Sequence, residues 1–277
     1  MNFFQKLFGA KEEDPVEKKK ADDARNFDIL KDDGMRALHA GEAEYAIKCF
    51  RHALEIHDDM EIHDGLSEAL IRQGNLPEAF EELRKLAEAH PENQEVLIRM
   101  ARVAFMMEDY GAMGDACEKA LLIDKSVPEV SYLYARASRG QGDDVNAVAL
   151  ATRAISLDAD YADAYLLRGK TLLAMGDVKG AADDAAWLAG KAPDNEDVLL
   201  FEAQVEHAQG HDKEALECYD RAIQGNPFCL EAYRERGALR LATGDKDGAA
   251  ADAAKVVELN PKETEGVNGK FSAKGTE

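Results

Sequence analysis

The most constraining feature of this chain is a glycine that returns at a fixed interval. Gly41, Gly74, Gly142, Gly176, Gly210 and Gly244 are each followed five residues later by an alanine, namely Ala46, Ala79, Ala147, Ala181, Ala215 and Ala249. Consecutive alanines lie 33 or 34 residues apart, except for one double step from Ala79 to Ala147. A degenerate copy fills that step, with Glu108-Asp109-Tyr110 at the turn and Met113 in the alanine slot. Seven copies of one unit predict a stack of like elements, each burying its apolar face against its neighbours. Such a chain offers a surface; it does not enclose a reaction vessel.

The fifth copy, residues 162–195, shows what one unit contains. Tyr165, Arg168-Gly169, Leu172 and Leu173 recur at helical spacing, and Gly176-Asp177 interrupts them. A second apolar set follows at Val178, Ala181, Ala182, Ala185, Leu188 and Ala189, and Pro193 ends it. The unit is therefore helix, short turn, helix, proline. Gly169 sits inside the first helix, where glycine costs about 1 kcal/mol against alanine. Close approach of the paired helix at Ala181 is expected to offset that cost. Gly34, Ser67, Ala101, Ala135, Ala203 and Gly237 hold the equivalent slot in the other copies.

These residues, from the Gly34-type position through Ala46-type alanines to the closing Pro91, Pro193, Pro227 and Pro261, resemble the tetratricopeptide repeat. The resemblance implies an all-α, right-handed superhelical solenoid of about seven helix-turn-helix repeats. They span roughly residues 27–59, 60–93, 94–127, 128–161, 162–195, 196–229 and 230–263. An N-terminal apolar segment plus charged linker occupies 1–26, and a flexible tail occupies 264–277. The consensus residues pack helix on helix, so they specify fold far better than function.

Composition narrows the function classes. Aromatics make up only 7% of the 277 residues, natural for an alanine-packed array. Cys49, Cys117, Cys218 and Cys229 form no CxxC and read as reduced packing residues, which points to the cytoplasm. No stretch approaches the ~20 apolar residues of a membrane helix. Net charge is −21, and both ends are neutral, so the acid lies on the repeats and disfavours nucleic acid as a partner. Part of it is structural. Asp28, Glu61, Glu95, Glu129, Asp163, Asp197 and Glu231 share one early position of the first helix and are expected to complement its dipole. His207 and His211 are separated by Gly210 at a helix end, so no metal site is read there, and no cofactor is expected. No phosphate loop, GxSxG or HExxH occurs, and the reading is non-enzymatic.

The family resemblance implies that first helices line a concave groove. Projected onto this chain, the middle of that wall is basic and aromatic: Ile98, Arg102, Phe105, Tyr132, Arg136, Arg139, Leu166, Lys170 and Leu173. The last two copies add Leu200, Gln204, His207, Arg234, Ala238 and Leu241. Arginine and tyrosine are interface hot-spot types, and arginine's fork suits carboxylates. The competing reading is a ladder in which Arg102, Arg136 and Lys170 pair with neighbouring acids. Family members that clamp the acidic C-terminus of heat-shock chaperones use a lysine–asparagine pair; here Lys31 is followed four residues on by Met35 and no asparagine takes the corresponding groove slots, so that clamp is not expected.

The N-terminus adds Phe3, Phe4, Leu7 and Phe8, one face of two helical turns, ahead of a charged stretch from Lys11 to Arg25 read as a flexible linker. It can cap the solenoid, dock a partner or touch a membrane surface peripherally, and a protein contact or cap is favoured. The leading functional expectation is an adaptor that holds a protein or peptide segment in the groove, one with acidic residues or a free C-terminal carboxylate. The alternative is a structural subunit of an assembly or membrane-associated complex, recruited through the Phe-rich N-terminus.

Overall fold

The computed structural model describes residues 15–260, so Phe3, Phe4, Leu7 and Phe8 and the tail from 264 lie outside the described residues. Within them are fourteen α-helices and no strand. They form seven consecutive antiparallel pairs, one per expected repeat. The first compact unit, Met1–Lys125, holds three: α1 (Pro15–His39) with α2 (Ala43–Ile56), α3 (Met60–Gln73) with α4 (Leu76–Ala89), and α5 (Gln94–Met106) with α6 (Tyr110–Ile123). The second, Ser126–Glu277, holds four: α7 (Pro128–Gly140) with α8 (Asp144–Leu157), α9 (Ala162–Ala174) with α10 (Val178–Lys191), α11 (Glu196–Ala208) with α12 (Asp212–Gly225), and α13 (Leu230–Thr243) with α14 (Lys246–Leu259). Inside each unit, the second helix of a pair packs on the first helix of the next.

The turn within each pair explains the glycine. All six turn glycines are left-handed, with φ between 81° and 94°, where a side chain is strained. In the degenerate third pair Glu108 takes the same conformation at φ 58°, the one non-glycine with positive φ among the described residues. In four of the seven turns an aspartate comes next and starts the second helix; Glu42, Asn75 and His211 hold that place in the others without a side-chain cap. Asp177 accepts from the Gly180 amide at 3.0 Å, and Asp109, Asp143 and Asp245 cap their helices in the same way. A side-chain cap of this kind contributes about 1 kcal/mol. At these four turns two adjacent residues thus close one helix and open the next.

The small first-helix slot is confirmed as a close approach, but its partner differs from expectation. A Cβ on Gly169 would lie 2.4 Å from Cζ of Phe201 and 3.1 Å from Cβ of Asp184. The space Gly169 vacates is filled first by the phenyl ring of the next pair and by the residue fifteen positions on, whereas at the equivalent Gly237 the expected alanine does approach, with the Ala249 carbonyl 3.7 Å from a Cβ there. Ala181 is nonetheless fully buried, in one cluster with Ala185, Leu188, Val198 and Phe201. In the first unit a single ring, Phe50, meets both Gly34 and Gly65.

The slot fifteen residues after the small one holds Cys49, Glu82, Ala116, Leu150, Asp184, Cys218 and Asp252. Asp184 and Asp252 are both 2% exposed. Arg168 reaches Asp184 through Nε at 3.0 Å and a terminal nitrogen at 2.5 Å, and its other terminal nitrogen donates to Thr152 of α8 at 3.2 Å. Arg236 repeats the fork on Asp252, with its remaining arm on Asp220 of α12 at 2.5 Å. Each guanidinium also stacks over a tyrosine three residues before it, Tyr165 at 5.3 Å and Tyr233 at 5.4 Å. Bonding to Asp184 raises the Arg168 pKa, so the cation is secure. In the second pair, buried His63 touches Glu82 through Nδ1 and Asp58 through Nε2 at 2.7 Å.

Two further expectations change. The stretch read as a linker is helical from Pro15 onward, because Pro15 is pre-set for a helix start, Glu17 suits the first turn and the lysine–alanine run has good helix propensity. Asp28 therefore lies mid-helix in α1, whereas Glu61, Glu95, Glu129, Asp163, Asp197 and Glu231 do sit in first turns. All four cysteines are buried free thiols. Burial, together with the Glu202 carboxylate, pushes the Cys218 thiol up to about 12, and burial pushes Cys229 to about 11.

Candidate functional site

The expected wall residues divide between the two units. In the first, Ile98 is only 5% exposed and belongs to the core, so it offers no surface. Its place beside buried Leu97 and Met100 explains this, since seven of the thirteen residues of α5 are buried and α5 is covered on more than one side. Arg102 is exposed, 4.0 Å from Glu95 of its own helix, and Phe105 lies part-buried with its ring 6.4 Å from Tyr110. Upstream, Lys31 is occupied by Glu61 at 2.5 Å and Asp59 at 3.6 Å.

The second unit carries the rest. Tyr132 of α7 meets the Tyr161 ring at 5.1 Å, and the Arg136 guanidinium lies 5.6 Å above Tyr132. Burial raises the Tyr132 hydroxyl pKa, which keeps it a neutral donor. Leu166 and Leu173 of α9 are part-buried and lean on the Val198–Phe201 core, leaving only their edges outward. Arg139, in the last turn of α7, and Lys170, on α9, are part-buried and make no ion pair among the described residues. That sets them apart in a strongly acidic chain where most cations are answered.

Sequence reasoning missed a cavity of about 320 Å³ in the same unit, lined by Gln204 and His207 of α11, Tyr219 of α12, and Glu235, Ala238, Leu239 and Ala242 of α13. Its polar centre is the Glu235 carboxylate. Gln204 donates to it at 2.8 and 3.1 Å, and the buried Tyr219 hydroxyl donates at 2.8 Å. Gln204 and Ala238 occupy the slots that hold Arg136 and Lys170 in earlier copies, and this register was the available signal. His207 and His211 each turn to a carboxylate, Asp212 at 2.7 Å and Glu206 at 2.8 Å. Among the described residues no helix is long and apolar enough to cross a membrane, and no cluster of three or more metal-ligating side chains occurs.

Comparison with known proteins agrees with this geometry. Two family models described as tetratricopeptide repeat match residues 60–103, and 166–224 with 202–264, together just over half of the chain. A tetratricopeptide repeat protein from Parabacteroides merdae shares the fold, with a TM-score of 0.73 at 15% identity over 85% of this chain and 94% of that one. YrrB, described as a TPR protein with an unusual peptide-binding site, gives 0.52 at 15% identity over 68% and 97%. The Protein CTR9 homolog of Arabidopsis thaliana is 31% identical over 122 residues, which is 44% of this chain. The chain spans only 11% of the length of that plant protein. The matched stretches run through the glycine turns and helix pairs on which the repeat rests, and the chain belongs to the tetratricopeptide repeat family.

Proposed function

We propose that the protein is a non-enzymatic adaptor whose second unit holds a protein or peptide segment, rich in acidic residues or ending in a free carboxylate, against its first helices. The observation that carries this reading is the pair Arg139 and Lys170, part-buried cations on successive first helices with no ion pair among the described residues. Unanswered charge at half-dry positions is where a partner's carboxylate gains most, because screening by water is weakest there. Tyr132 and Tyr161 supply flat apolar area beside it. The described peptide-binding site of YrrB supports the class of activity, since that protein has the same fold.

The test is fluorescence anisotropy with a labelled acidic peptide ending in a free carboxylate. Reversing Arg139 and Lys170 to glutamate lowers affinity about tenfold or more, with helicity and melting near wild type, and wild-type affinity falls with salt. Retained affinity in the reversed variant removes the site from this wall. It would then point to the apolar cavity of about 550 Å³ in the first unit, where Phe80, Met100, Ala116 and Leu122 line the space beside α4, α5 and α6.

A further inference from the structure

We infer that the Glu235 cavity is a subsite for a cationic side chain, lysine or arginine, so that a segment bound to the second unit presents a basic residue as well as an acidic one. This rests on the peptide-binding reading above and assigns it a second, oppositely charged contact. Glu235 is a part-buried carboxylate whose three hydrogen bonds all come from neutral donors, the Gln204 amide and the Tyr219 hydroxyl. It makes no ion pair among the described residues. Of the two arginines that flank it in sequence, Arg236 is committed to Asp252 and Asp220, and Arg234 is exposed on α13. Tyr219 is 3% exposed, and burial with the Glu235 bond raises its pKa, so its hydroxyl remains a donor that fixes the carboxylate in place. A positioned negative charge beside an empty volume is suited to a cation.

The repeat register says why the volume is there. Arg102, Arg136 and Lys170 fill one slot in the third to fifth copies, and Gln204 and then Ala238 follow in the sixth and seventh. Where earlier copies place a long cationic side chain of their own, the seventh leaves a methyl group, and the cavity opens beside it. The methyls of Ala238 and Ala242 and the side chain of Leu239 suit the aliphatic stem of an incoming lysine or arginine. The His207 ring at the rim is already turned to Asp212 and does not compete for Glu235.

The experiment uses the full chain and Nα-acetyl-lysine N-methylamide, a probe with one positive charge and no acidic group, titrated while the Gln204 side-chain amide is followed by NMR. The expected result is a saturable shift at millimolar probe, absent with the norleucine analogue. Glu235→Gln abolishes the response, and so does Ala238→Lys, which places a cation in the cavity from an exposed position and leaves the fold intact. Equal shifts with the norleucine analogue, or an undiminished response in Glu235→Gln, would overturn the assignment. Because the probe lacks a carboxylate, reversing Arg139 and Lys170 leaves this titration unchanged. Failure of the acidic-peptide reading and failure of the cation subsite are therefore read in separate assays.

Discussion

The α9/α10 pair and the α5/α6 pair build the same hairpin from opposite materials. In α9/α10 the small slot is Gly169, and the residue fifteen on is Asp184, buried and forked by Arg168. In α5/α6 the same two slots are Ala101 and Ala116, both buried, with Met113 wholly buried in the alanine position. The turns match too, although one uses Gly176 and the other Glu108. Shape is thus set by turn conformation and a small side chain at one contact, while the facing slot can be a methyl group or a charge. The charge is admissible in α10 because Arg168, one residue before the glycine, is in reach, just as His63 answers Glu82 in the same slot of the second pair. A buried pair of this kind marks geometry more than stability, since its desolvation offsets much of its attraction.

That contrast can be broken most severely by removing one half of the pair. Asp184→Ala leaves Arg168 part-buried without its carboxylate and is expected to cost about 3–5 kcal/mol, measured by urea unfolding. Replacing both Arg168 and Asp184 by leucine should recover most of that loss, because an apolar pair is what α5/α6 already uses. A double variant no better than the single would mean that the polar pair is needed for folding itself. Ala181→Leu comes next, at about 1–3 kcal/mol from overpacking. Unchanged melting would show that this pair has the same room as α5/α6, where Met113 fits. Smaller and of opposite sign, Glu108→Gly relieves the left-handed turn and should stabilise by about 0.5–1 kcal/mol, after the entropy lost by the freer unfolded chain. The least effect of all is expected at Cys218, which shares the Asp184 slot. With its pKa pushed up to about 12, the thiolate is scarce throughout pH 7–9, so native alkylation stays negligible there and rises only in denaturant. Rapid labelling of Cys218 in native protein at pH 8 would show that the α11/α12 pair opens.

Periodicity made the fold legible because it was written in residues with backbone jobs. Gly176 and Asp177 must be what they are to end one helix and begin another, and the degenerate copy at Glu108 was found because its neighbours fix the register. What stayed hidden depended on side chains far apart in sequence. The partner of Gly169 is Phe201 from the next pair, and nothing local announces it. Arg168 and Asp184 are sixteen residues apart and look like ordinary surface charges when read singly. Projecting groove slots named Arg139 and Lys170, which are part-buried without an ion pair among the described residues, yet it also named Ile98, which lies in the core. Glu235 was missed because its role comes from what surrounds it, a buried tyrosine and a cavity that a neighbouring alanine leaves open.

The glycine–aspartate joint has a consequence at the level of the gene. At four of the seven joints two adjacent residues, as at Gly176 and Asp177, close one helix and cap the next from within the copy itself. Unequal recombination between copies at such a joint would therefore delete or duplicate one whole hairpin and leave the other caps of this kind in place. Copy number can change in a single mutational step, with each hairpin gained or lost as a unit.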